Sequence, residues 1–256
     1  MSRPEILFPL FADLETLEGI GPKTAQHMGQ LGITTPRDLL FTLPHTGIDR
    51  SLRDTIEHAV LPATVTVKVM VGAHSPARTR GGAYRIHVDD GTTSFQLVFF
   101  HGRSDYLNKV LPTGTERIVS GRVELFDGIA NMVHPDHILP VEQAADIPNF
   151  EPVYPLTLGV TQKTMVTATR GALTRLPDVA EWIDPGQMAQ AKWPSFSDAM
   201  KRAHAPEAQG DLAPTHPARM RLAYDELFAH QLTLGLARAS ERRMSGRVSR
   251  GTGVLL

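Results

Sequence analysis

The chain has no cysteine among its 256 residues. That excludes disulfides and thiolate metal sites, and it fits a reducing compartment. Long apolar runs are missing as well, and none approaches the ~20 residues a membrane-spanning helix needs. Near the N-terminus Pro4, Glu5 and Pro9 interrupt the stretch that a signal peptide would require. The expectation is a soluble, cytoplasmic protein with no membrane contact. Signatures of catalysis are absent too: there is no nucleophile elbow and no HExxH. The segment GVTQKT (159–164) lacks the glycine before lysine that a phosphate-binding loop demands. His134 and His137 have a spacing that can suit a metal. With no Cys, and only Asp136 nearby, they read as surface or strand-end histidines. Asp89-Asp90 is explained by its turn. No catalytic residue, metal or cofactor is expected in this chain.

Net charge is also nearly absent, at −1, which by itself argues against a polyanionic partner. The distribution argues otherwise. Residues 1–60 carry 5 Lys and Arg against 8 Asp and Glu, and 126–190 carry 3 against 8. By contrast 61–125 carry 8 against 5, and 191–256 carry 10 against 6. Local fields steer a charged ligand more than the total does. A mixed solvated surface accounts for the same counts.

Residues 10–60 read as helical. Leu10, Leu14 and Leu17 share a face that breaks at Gly19-Ile20-Gly21, and Pro22 restarts a helix at its first position, where a missing N–H costs nothing. Gly32 suits its C-terminal cap. Thr35-Pro36-Arg37-Asp38 offers a cap and an acidic first turn for the next helix. From about 61 the period changes to 2, with Val65, Val67, Val69 and Val71 alternating with polar neighbours. Hairpin signals follow at Asp89-Asp90-Gly91 and Asp127-Gly128. SDYLNKVLPTG, with Ser104 as cap and Gly114 after it, reads as a short helix between the third strand and the fourth, which is the order of an OB-fold barrel. ADIPNFEPVYPLTLG (145–159) reads as a Pro-rich extended linker. Helical periodicity returns at 161–176, about 196–204 and 217–243. The fold class expected is α+β: helical segment 1–60, barrel 61–144, linker 145–160, helical region 161–245 and connector 246–256.

Three places invite a functional reading. Gly19-Ile20-Gly21 matches the h-G-h-G turn of a helix-hairpin-helix, whose bare backbone N–H groups can approach a DNA phosphate with Lys23 adding charge. A tight structural turn explains the same glycines. Aromatics make up only 6% of the chain, so adjacent Phe99 and Phe100 stand out. Phe95, Leu97 and Phe99 share one strand face, which assigns Phe99 to the core and points Phe100 outward. Beside Arg103, Tyr106 and Lys109, Phe100 either stacks on an exposed base or covers one end of the barrel. Third, Arg219, Arg221, Arg238, Arg242, Arg243, Arg247 and Arg250 load the last helix and tail. Leu222, Leu227, Leu232, Leu234 and Leu236 supply its packing face. A docking helix with a solvated basic face and a DNA-contacting helix remain equally open there.

The order of segments resembles the N-terminal half of the RecG family over nearly the whole chain. The resemblance rests on LEGIGPKTAQHMGQLGITTPRDLLFTLP, then FQLVFFH and GRVELFDGIANMVHP. It continues through PVYPLTLGVTQKTM, SFSDAMKRAHAP and ARMRLAYDELFAHQLTLGLAR. RecG proteins are ATP-dependent DNA helicases that remodel stalled forks and branched recombination intermediates. The resemblance implies that the barrel is the wedge that splits strands at a junction. It implies that Phe100 and, after the turn HGRSD, Tyr106 stack on the bases exposed there. It assigns branched DNA as the partner of a monomeric protein, with single-stranded-DNA-binding protein as a further partner. A junction-indifferent single-strand or protein-binding OB module is the alternative. ATP and Mg2+ belong to a superfamily 2 motor whose Walker A and DExH boxes this chain lacks. Alone it is expected neither to hydrolyse ATP nor to unwind DNA.

Overall fold

The computed structural model describes residues 3–77, 79 and 81–241. Two hydrophobic cores organise them, one inside a barrel and one inside a helical body.

The chain begins with two 3-10 segments, Glu5–Phe11 and Leu14–Thr16, where α-helix was expected. Pro9 lies inside the first and has no N–H to give an α-helical ladder. Leu10, Leu14 and Leu17 are nonetheless buried together, so the apolar spacing located the core and missed the helix type. Helix α1 (Pro22–Gly29) starts at the proline, and α2 (Pro36–Phe41) follows. Ahead of α2, Asp38 Oδ2 accepts from the Thr35 N–H at 2.9 Å, tying off a free donor of its first turn.

The next elements depart from the expected helical stretch. Thr46–Asp49 is a strand (β1) and Leu52–Arg53 a second (β2). The barrel strands are β3 (Ala63–Ser75), β4 (Ala83–Asp89) and β5 (Ser94–Phe100). Helix α3 (Ser104–Val110) then leads to β6 (Glu116–Phe126) and β7 (Ile129–Val133). β5 pairs in parallel with β7, and β3 closes on β6 from Ala63↔Val123 to Met70↔Glu116. These five strands form the expected OB-type barrel. Val65, Val67, Val69, Ile86, Phe95, Leu97, Phe99 and Met132 fill it, and Leu107 and Leu111 of the α3 segment plug one end. A short strand β8 (His137–Leu139) lies along β6.

The expected linker 145–160 is not an unpaired extended segment. Its residues Phe150–Val153 form β9, antiparallel to β1 in register Thr46↔Val153 to Asp49↔Phe150. Tyr154 and Val160, beyond β9, are core residues. The remaining helices are α4 (Gln162–Leu173), α5 (Pro185–Ala191), α6 (Phe196–His204) and α7 (Pro217–Glu241). α4, α6 and the start of α7 pack with the N-terminal segment in a single core, where Met28, Ile33 and Leu39 meet Met165, Ala199 and Leu222. The barrel is thus inserted in the middle of the helical body's sequence.

Arg50 joins the two parts. It follows β1, is 4% exposed, and donates to Ser120 Oγ of β6 at 2.9 Å and to Asp136 Oδ2 at 3.0 Å. Its Nε also donates to Glu151 of β9. Three acceptors on separate segments satisfy one buried guanidinium, which is what burying that charge requires.

Candidate nucleic-acid interface

Phase on β5 decides the double phenylalanine. Phe99 enters the barrel core, and Phe100, the last residue of the strand, is 48% exposed. The chain then turns through His101, which takes a positive φ of 58°, and through Gly102. A Cβ at Gly102 would stand 2.8 Å from Leu107 Cδ1 and 3.0 Å from Phe99 Cβ. Only glycine lets the turn lie this close to the core, and it brings α3 back beside the strand end. Leu107 is the buried face of α3, which leaves the preceding Tyr106 outward and 61% exposed.

Phe100, Arg103 and Tyr106 therefore line one depression of about 290 Å³, as expected from their clustering in sequence. Lys109 is exposed on the same helix but does not line it. The fourth main wall is His134, which the sequence reading set aside as a strand-end histidine. His134 also has a positive φ, 48°, and its N–H donates to Val98 O at 2.9 Å. Its Nε2 accepts from the Phe100 N–H at 3.2 Å. The imidazole lies 5.8 Å from the Phe100 ring at a 44° tilt and 6.0 Å from the Phe99 ring edge-on. It thus holds the strand end and props the exposed ring. No local sequence signal marks it, because its place beside Phe100 follows from the parallel pairing of β5 with β7, which sets Val98 opposite Val133, one residue before.

The glycine turn lies in the helical body, not at the barrel tip. Gly19 has φ +76°, which explains its glycine, and Ile20 is buried. Gly21 has an ordinary φ of −98° and open space where a Cβ would stand, so packing does not require glycine there. Lys23 is exposed on the first turn of α1. The element before the turn is a three-residue 3-10 segment rather than the first helix of a regular helical hairpin.

The basic load of α7 is largely structural where it is described. Arg221 is fully buried: Nη1 and Nη2 donate to Glu181 at 2.8 and 2.9 Å, Nε to Asp225 at 2.9 Å, and Nη1 to Pro194 O at 3.1 Å. The guanidinium holds the Glu181 carboxyl down to about 2. Arg219 donates to Pro44 O at 2.6 Å. Arg238 is exposed, and Arg242, Arg243, Arg247 and Arg250 lie outside the described residues. Of the leucines expected to pack, only Leu222 is buried. Leu227, Leu232, Leu234 and Leu236 are exposed, with Leu232 lining a groove beside Phe41, Trp182 and Phe196. Among the described residues there is no cluster suited to a metal ion, and no helix long and apolar enough to cross a membrane.

Comparison with known proteins places this arrangement. The family model for the RecG wedge domain matches residues 13–176. The ATP-dependent DNA helicase RecG of Pasteurella multocida is 29% identical over 241 residues, covering 91% of this chain and 34% of that protein. Its counterpart in Bacillus subtilis is 29% identical over 240 residues, covering 91% and 33%. A solved structure of RecG bound to a three-way DNA junction superposes with a TM-score of 0.71 at 27% identity, covering 91% of this chain and 32% of that one. The chain spans about a third of the length of these relatives.

Proposed function

The chain belongs to the RecG wedge domain family, and we propose that it is the branched-DNA-binding wedge portion of an ATP-dependent DNA helicase. The observation that carries this reading is the half-exposed Phe100 at the end of β5, sharing one depression with Tyr106 and Arg103. A large aromatic left in water at a barrel tip costs apolar burial, and base stacking recovers about 1–3 kcal/mol per base. Phe100 and Tyr106 stack on the bases exposed where two arms separate. Arg103 and Lys109 contact the adjoining phosphates. Phe99 fixes the strand from within. The Gly19–Gly21 turn with Lys23 is a second phosphate contact, supported by the unfilled space at Gly21.

Strand splitting serves fork reversal, recombination and repair in this reading. ATP and Mg2+ act in the motor of the whole helicase. The exposed leucines of α7 face that motor. The wedge works as a monomer, and single-stranded-DNA-binding protein is a further partner.

The test is a competition among forked DNA, plain duplex and single strands for the 256-residue chain, followed by anisotropy across a salt series. The fork should bind tightest, and its affinity should fall with rising salt as counterions are released. Equal or tighter binding of plain single strands would instead assign a general single-strand module.

A further inference from the structure

The depression beside Phe100 holds a hydrogen-bond donor that base stacking leaves unused. The parallel pairing of β5 with β7 runs from Gln96↔Asn131 to Val98↔Val133, and the His134 N–H adds a rung to Val98 O at 2.9 Å. In a regular parallel ladder the next β5 donor, the Phe100 N–H, would meet a backbone carbonyl of the neighbouring strand. Here the chain turns away at His134, with φ of 48°, and the imidazole takes the carbonyl's place. Its Nε2 accepts from the Phe100 N–H at 3.2 Å.

That bond fixes the tautomer. A ring nitrogen that accepts a hydrogen bond carries no proton, so the proton of this imidazole sits on Nδ1 and makes it a donor. Among the described residues Nδ1 has no hydrogen-bond partner, and the His134 side chain is exposed. The nearest carboxylate along the chain, Asp136, accepts from Arg50 at 3.0 Å. One nitrogen is thus anchored to the strand end, and the other faces water with its N–H free.

Backbone strain gathers at the same spot. Four described residues other than glycine have a positive φ, and two of them, His101 and His134, line this depression. Such residues cost free energy, and they cluster where a ligand is held.

Resting on the junction-binding function above, we propose that His134 Nδ1–H donates to a phosphate oxygen of the nucleotide stacked on Phe100. The imidazole centre lies 5.8 Å from the Phe100 ring and is tilted 44° to it, so it stands beside that ring and not in a stack with it. A wedge meets any base sequence at a branch point, and the backbone phosphate is the acceptor that every nucleotide carries. Arg103 supplies the charge in this depression, and His134 supplies a neutral donor of fixed direction. The same side chain therefore ties the position of the nucleotide to the end of the strand that presents the ring.

The experiment places Nδ1-methylhistidine at position 134, which keeps Nε2 as an acceptor and removes the Nδ1 donor. Binding of this chain and of the parent is measured on a fork with ordinary phosphates. It is measured again on forks carrying a methylphosphonate at one of the three phosphates nearest the branch. On the ordinary fork the methylated chain should bind about tenfold more weakly, as loss of a hydrogen bond to a charged group implies. Its salt slope should equal the parent's, because a neutral donor releases no counterion. At one of the three positions the methylphosphonate should weaken the parent and leave the two chains equal. Equal binding to the ordinary fork overturns the proposal. So does a deficit that persists on every methylphosphonate fork, which would assign the donor to a base edge or to the shape of the tip. A salt slope reduced by about one contact would make His134 a charge and overturn it as well. Phe100→Ala keeps the two ideas apart: if it binds every fork like the parent, the junction reading fails, whatever His134 does.

Discussion

Arg50 Nη1 donates to Ser120 Oγ at 2.9 Å, so a residue on the ribbon of the helical body is bonded inside the outer wall of the barrel. Ser120 in turn lies 2.7 Å from Thr66 Oγ1, and both side chains are buried. Removing one partner of a buried ionic cluster leaves the others uncompensated, at a cost of about 3–5 kcal/mol. Arg50→Met should lower unfolding stability by about that much. Chemical denaturation at neutral pH measures it, and a midpoint equal to that of the parent would show that the cluster does not hold the two parts together.

Phe99 and Phe100 should separate stability from binding. Phe99→Ala opens a cavity in the barrel core and should cost about 3–5 kcal/mol of stability. Phe100→Ala should leave the melting curve nearly unchanged and weaken fork binding by about 1–3 kcal/mol. Calorimetry beside fluorescence anisotropy reads both, and the reverse pattern would sink the assignment of the two rings.

His204 is buried between Tyr154 and the Leu40 carbonyl. A carbonyl can only accept, so Nε2 carries the proton and donates at 2.8 Å, while Nδ1 accepts from the Tyr154 hydroxyl at 3.0 Å. Burial pushes the His204 imidazole down to about 4 and the Tyr154 hydroxyl up to about 12. The folded state therefore holds His204 neutral, while the unfolded chain protonates near 6.5. Its contribution is present in full above pH 6.5 and is lost as pH falls toward 4, by about 3 kcal/mol. Urea unfolding at stepped pH should show this slope in the parent and less of it in His204→Gln. Equal slopes in the two proteins would refute the account.

Arg221 is the clearest correction to reading charge from a helix. Arg221→Met should cost about 3–5 kcal/mol of stability by stranding Glu181 and Asp225. Arg221→Lys should recover only part, since an ammonium cannot span three acceptors as a planar fork does. Below the melting range, the salt slope of fork binding should be the same in the parent and in Arg221→Lys. A slope reduced by about one phosphate contact would return Arg221 to the DNA interface.

The elements legible in the sequence were those with local causes. Alternation at Phe95, Leu97 and Phe99 assigned the inner face of β5, and Asp89-Asp90-Gly91 marked its hairpin with β4. Thr35 with Asp38 marked the start of α2. What was not legible depends on distant partners. β1 and β9 are four residues each and 101 positions apart where Asp49 meets Phe150, and neither has a repeat long enough to show a period. Arg221 looks solvated until Glu181, 40 residues earlier, is placed beside it. His134 reads as an ordinary strand-end residue until β5 and β7 pair. The 3-10 segments carry helical spacing, because burial needs apolar residues on one side and not a particular hydrogen-bond ladder.

The two-stranded ribbon is the only continuous backbone path between the described parts, and its strands run in opposite senses. Asp49 and Phe150 both stand at its barrel end, and Arg50 N–H donates to Asn149 O at 2.7 Å just beyond. A load that DNA places on the barrel tip would draw both strands the same way. The tension then travels along covalent backbone in two parallel tethers and barely strains the rungs between them. Sideways bending is resisted at a different place, the Arg50 cluster. The molecule resists a pull through its chain and a tilt through the cluster of Arg50 with Ser120, Asp136 and Glu151, to which His137 adds a contact of 3.6 Å to Glu151, so a substitution at Arg50 should loosen the set of the barrel on its ribbon.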